Sequence, residues 1–144
     1  MLYGQRDDIR RVYCAAWDKQ QRGLPLEPLE RQLVEVIAVH PEYHPLLADA
    51  DSALARDYLP EMGQTNPFLH MGMHLAIREQ LATNRPAGIV AAYGALMVKI
   101  QDIHQAEHQM MECLGEALWR AQRDGQAPDE VAYLQCLRWL MGAA

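Results

Sequence analysis

Apolar residues in this chain recur at helical spacing and almost nowhere alternate. Between residues 7 and 21, Ile9, Val12, Tyr13 and Ala16 fall at i, i+3, i+4 and i+7, the stripe of an amphipathic helix. Residues 28–40 repeat the pattern with Leu29, Leu33, Val36 and Ile37. No run shows the period-two alternation, bounded by turn residues, that marks a strand. Half of the 144 residues are hydrophobic, enough to fill a core at this length. The expected fold class is therefore all-α: one domain over residues 1–144, a single helical bundle of five or six helices.

Prolines, glycines and capping residues divide the chain. Gly23 and Pro25 close the first helix, and Pro41 and Pro45 end the second. Residues 45–66 are the least regular part, with room for one short helix around Ser52 to Leu59 before Pro60. Loops of that length tend to be functional or mobile. Asn66-Pro67 reads as an N-cap followed by proline at the first helical position, opening a helix that runs to Thr83. Nothing forbids helix from Pro86 to Arg123, but one helix of that length would span ~55 Å. A break is expected near Gln101-Asp102, with Asp102 capping a helix over 103–123 that stops at Asp124-Gly125. Pro128 opens a last helix, 128–141, with Asp129 and Glu130 near its positive dipole end.

The formal net charge of -6 argues against a nucleic-acid footprint, which needs a basic stripe. No apolar run approaches the ~20 residues of a membrane span. The opening MLYGQRDDIRR is polar and charged, so no signal peptide is expected. The three cysteines, Cys14, Cys113 and Cys136, are far apart and not in CxxC spacing. They predict a reduced, cytoplasmic protein with free thiols. Walker loops, GxGxxG and GxSxG are absent from the sequence.

The histidines carry the chemical signal. All six fall in HxxxH pairs: His40 and His44 in HPEYH, His70 and His74 in HMGMH, and His104 and His108 in HQAEH. Residues four apart on a helix share a face, and two imidazoles so placed can reach one metal ion. Each pair continues an expected apolar stripe. His104 and His108 line up with Met111, Gly115 and Leu118; His70 and His74 with Ile77 and Leu81; His40 with Leu29, Leu33 and Val36. Histidines on solvated faces would fall instead beside residues such as Arg78 or Lys99. The HPEYH pair is the weakest, because its prolines interrupt the helical turn and Pro45 biases His44 away from helical angles. Glu112 lies one turn beyond His108, and Glu107 lies three residues after His104. Either is a candidate carboxylate ligand, imidazole partner or general base; Asp102 and Glu42 are weaker candidates. Met71, Met73, Met110 and Met111 sit beside the histidines, a combination suited to Cu(I), but methionine is more often a core gap-filler. Trp17, Trp119 and Trp139 are expected in the core or an interface, and Cys113 is expected to pack.

HPEYH, GQTNPFLHMGMH and HQAEHQMMECLGEALWRAQR together resemble the bacterial family known as domain of unknown function 1841. The resemblance runs from YGQRDDIR to the last helix. It implies a small bacterial protein without an assigned activity, and it supplies no catalytic residues. A looser likeness in site chemistry is to hemerythrin-type bundles, which hold two irons with histidines and a few carboxylates. The His108-to-Glu112 spacing matches their His-x-x-x-Glu element, while the ligand order does not.

These residues predict a metal-binding bundle with a histidine-rich, dinuclear non-haem site of His40, His44, His70, His74, His104 and His108, with Glu107 or Glu112. Iron ranks first, with O2, peroxide or redox chemistry or sensing. Zinc ranks second, as a hydrolase centre, and copper ranks behind both. The reading from another class is a non-catalytic interaction or structural protein with a buried histidine cluster. The expected partners are metal ions, with neither nucleic acid nor membrane; the apolar last helix leaves a homodimer open.

Overall fold

The computed structural model describes residues 2–58 and 66–142, with the side chains of 2–5 excepted. Every regular element in it is helical: α1 Leu2–Gln21, α2 Pro28–Ala38, a 3-10 turn Pro41–Tyr43, α3 His44–Ala48, α4 Ala50–Ala55, α5 Pro67–Thr83, α6 Ile89–Ile100, α7 Ile103–Asp124 and α8 Glu130–Leu140. The fold class is all-α as expected. The helix count is eight among the described residues, not five or six. The extra helices come from residues 44–55, where Asp49 ends α3 and caps α4, its carboxylate accepting from the Ser52 N–H and hydroxyl. The short helix expected over Ser52–Leu59 is α4, shifted toward the N-terminus; Leu59 and Pro60 lie outside the described residues.

Most other boundaries follow the capping chemistry. Asn66 Oδ1 accepts from the N–H groups of Phe68 and Leu69, and α5 starts at Pro67. Asn84, just past its end, has φ +50°. The break between α6 and α7 falls where helix length and the Asp102 cap predicted it. Gln101 turns left-handed at φ +61°, and Asp102 caps α7 by accepting from Gln105 N–H at 2.9 Å. Gly125, also left-handed, ends α7, and Asp129 caps α8.

The chain forms two compact units, Met1–Leu75 and Ala76–Ala144. Helix α5 is continuous through the boundary. In the first unit α1 packs on α2, α3 and α4, around Tyr13, Trp17, Leu33, Val36, Ile37, Phe68 and Met71. The stripe on α1 is rotated from the expected one. Ile9 and Val12 are exposed, while Arg10, Tyr13, Cys14, Ala16 and Trp17 are buried. Leu29 is likewise exposed.

The buried Arg10 explains the rotation. Its guanidinium, 4% exposed, donates to the carbonyls of Ala53 at 2.8 Å and Arg56 at 2.6 Å. These are carbonyls at the end of α4 with no partner inside that helix. Arg6 donates to Leu54 and Arg56 and pairs with Asp57, and Arg10 also lies over the Phe68 ring. Burial lowers the Arg10 pKa, but a guanidinium stays charged. Two cations from α1 thus close the negative end of α4.

The second unit packs α6, α7 and α8 on one another, burying Ile89, Leu96, Met110, Leu114, Tyr133 and Leu137. Its α7–α8 hairpin is cross-linked by a disulfide between Cys113 and Cys136, 23 residues apart. This corrects the expectation of free thiols for two of the three cysteines, since only Cys14 is a free thiol. The pairing depends on the register of two antiparallel helices, which cysteine spacing does not encode. It also removes the ground on which a reducing, cytoplasmic setting was expected. In the chain-entropy picture a loop of this size contributes about 3 kcal/mol. Trp17 is a core residue as expected, but Trp119 and Trp139 are exposed. No helix among the described residues is long and apolar enough to cross a membrane.

Two outcomes follow from this packing. Arg10→Met, which keeps the volume and removes the donors, is expected to cost about 2–4 kcal/mol, read as a lowered urea midpoint. Burial pushes the phenols of Tyr13 and Tyr133 up to about 12, from an ordinary value near 10. The folded state therefore holds these protons more tightly than the unfolded chain. The associated stability is present below pH ~10 and is lost as pH rises toward ~12. An alkaline titration followed by phenolate absorbance should show these two rings ionising last, together with unfolding.

Candidate metal centre

Pro41 sets the first histidine. It forces the preceding residue out of helical geometry, and His40 takes φ −125°, ψ 66° just after α2 ends. The expected helix over 28–40 thus stops short, and His40 does not extend its stripe as a helical residue. The side chain instead folds back, and Nδ1–H donates to the Val36 carbonyl at 2.7 Å. A carbonyl only accepts, so the proton sits on Nδ1, and in the neutral ring Nε2 carries the lone pair. That is the tautomer a metal-binding imidazole needs, with its other nitrogen held by a backbone carbonyl.

His44 departs from expectation in a different way. Despite Pro45 it adopts helical angles, φ −61°, ψ −43°. Its Nε2–H donates to the Ile37 carbonyl at 2.8 Å, and its ring lies on Trp17 at 4.3 Å between centroids. Both histidines of HPEYH therefore supply donors to the end of α2. Only His40 is also directed toward other histidines.

Those are His70 and His74, one turn apart on α5. The three rings of His40, His70 and His74 lie 4.8–5.0 Å from one another between centroids, in edge-on arrangements. Tyr43 stacks on His40 at 5.3 Å. His40 and His74 are fully buried, at 1% and 0% exposed, and His70 is half-buried. Each of His40 and His74 offers a ring nitrogen within 4.8 Å of the other's.

The second unit carries the remaining pair. His104 and His108 sit one turn apart on α7, half-buried, with ring centroids 4.1 Å apart and ring nitrogens within 4.8 Å. Glu107 is 2% exposed and accepts from Arg78 Nε at 3.2 Å. Arg78 was expected to mark a solvated face. Instead it continues the His70–His74 line by one more turn of α5 and is the partner of a buried carboxylate. The i+4 step from His74 was the available signal. Glu112 is exposed, as is Asp102, which serves as a helix cap. Glu42, within the 3-10 turn, is also exposed. Met71, Met110 and Met111 are buried, as core gap-fillers would be.

Chemically, the described residues offer two sets of clustered imidazoles. The buried carboxylate of the second unit, Glu107, is engaged by a guanidinium. Such a donor set suits zinc, iron, copper or nickel more than magnesium or calcium, which take oxygen ligands.

The chain matches the model of a family described as domain of unknown function (DUF1841) over residues 5–139. The protein belongs to that family, as the motifs indicated. No curated protein and no solved structure matches it.

Arg78→Met, which removes the guanidinium from the buried Glu107, is expected to cost about 2 kcal/mol. Arg78→Lys should recover part of the loss. Equal urea midpoints for all three proteins would show that the ion pair contributes nothing.

Proposed function

We propose that this protein binds a transition-metal ion through histidine nitrogens of the first unit, His40 and His74 with His70, and that His104 and His108 give the second unit an imidazole pair of its own. The observation that carries the reading is the backbone-held tautomer of His40, whose ring meets those of His70 and His74 edge-on at 5.0 and 4.8 Å. The first unit alone gathers three imidazoles, and a bound water would complete a tetrahedral ion. A single ion is favoured over the dinuclear site because His44 is committed to Ile37, Glu112 is exposed and Glu107 is held by Arg78.

With iron, the role would be O2 or peroxide binding or redox sensing. The zinc reading is favoured by one observation, the engagement of Glu107 by Arg78. Non-haem iron oxygenase sites use a carboxylate beside two histidines, whereas zinc can be held by three imidazoles with no carboxylate. Three imidazoles and a bound water would make a hydrolytic centre, and four would make a closed structural one.

Elemental analysis of the untagged chain, purified without chelators, tests the proposal. About one equivalent of metal per chain is expected. His40→Gln and His74→Gln should each lose it. His44→Gln should keep it and lose only cap stability, about 1 kcal/mol. Occupancy should fall as the pH is lowered, because an imidazole must be deprotonated to ligate. Equal metal in all variants, or none after iron, zinc and copper are added back, would overturn the reading. Stability that follows pH but not chelator would then make the histidines a structural cluster.

A further inference from the structure

An open pocket of about 540 Å³ lies along the α7–α8 hairpin, and its wall includes both Cys113 and Cys136. The two halves of the disulfide are not equally reachable. Cys113 is 2% exposed, whereas Cys136 is half-buried. A disulfide sealed in a core meets no solutes, but one on a cavity wall can be approached by a thiolate. The same wall carries charges of both signs, Arg120 and Arg123 with Glu116 and Asp124. These side chains pair with one another, Arg120 with Glu116 at 2.7 Å and Arg123 with Asp124 at 2.9 Å, and all four are more than half exposed. Exposed pairs of this kind hold weakly, so both signs are available to a ligand that carries both.

We propose that Cys136 is a site of thiol–disulfide exchange with a small zwitterionic thiol, an amino-acid or peptide thiol bearing carboxylate and ammonium groups. Its carboxylates pair with Arg120 and Arg123, and its ammonium group with Glu116 or Asp124. The incoming thiolate attacks Sγ of Cys136, and a new S–S bond forms there. The Cys113–Cys136 bond breaks, and its electron pair leaves on Sγ of Cys113, which takes a proton from water. A second thiolate then attacks the ligand's sulfur in the mixed disulfide, releasing Cys136 as a thiolate. In sum, two small thiols are oxidised to their disulfide, and the protein's disulfide is reduced to two thiols.

The test incubates oxidised full-length protein with reduced glutathione under native conditions, with peptide mapping by mass spectrometry and circular dichroism to follow folding. The adduct is expected on Cys136 over Cys113 by about tenfold or more, because the attacked sulfur must be accessible. Cys113→Ser, treated with oxidised glutathione, should hold the adduct on Cys136. Arg120→Gln combined with Arg123→Gln should slow reaction with glutathione about threefold relative to uncharged 2-mercaptoethanol, the scale of exposed charge pairing. Reaction only after denaturant is added, or equal labelling of both cysteines, overturns the proposal. An unchanged ratio of the two thiols in the double arginine variant overturns the assigned ligand class. The wild-type and arginine measurements stand even where Cys113→Ser fails to fold.

Discussion

A helix that ends inside a folded unit leaves carbonyl groups that must find donors, and at the end of α2 those donors are histidines. Pro41 stops the helix and turns His40 back on Val36, and His44 reaches Ile37. One constraint thereby fixes the position of two side chains, the tautomer of His40 and the entry to α3. The histidine cluster of the first unit depends on this arrangement. Without the Val36 bond, nothing described here would decide which nitrogen of His40 carries the proton.

The same rule, that buried helix ends recruit side chains from elsewhere, organises other parts of the chain. In the first unit the C-terminal end of α4 is closed across elements, by arginines of α1. Lys19 of α1 likewise bridges to Glu30 of α2. In the second unit the caps are local. Asp102 and Asp129 each serve the helix they open, and the cross-element tie is the Cys113–Cys136 bond. Local caps are readable from neighbouring residues; cross-element ones are not.

This difference decides what could be read in the sequence. Asn66-Pro67, Asp102 and Gly125 announced their helix boundaries, because the cap and the capped residues lie within a few positions of each other. The pairing of histidines one turn apart was equally local, and His70 with His74 and His104 with His108 are neighbours as read. What escaped was non-local. The apolar spacing of Ile9 and Val12 gave no hint that a charged residue, Arg10, would claim the buried face. Arg78 looked like a surface position until Glu107 stood opposite it. Short helix α3 escaped and α4 was placed too late in the chain, because five- and six-residue segments carry too few periods to register. The spacing of Cys113 and Cys136 likewise said nothing about a helix-to-helix register.

Three cysteines allow three different single disulfides, and only one of them joins Cys113 to Cys136. Cys14 lies on α1 between Tyr13 and the buried Ala16–Trp17 pair, itself buried. Burial, together with the nearby Asp49 carboxylate, pushes its thiol pKa up, which keeps the nucleophilic thiolate scarce. A folded first unit therefore withdraws Cys14 from oxidation chemistry and takes both wrong pairings out of reach. The bland packing role of one cysteine is in this sense a proofreading device: oxidation of the remaining two has a single outcome.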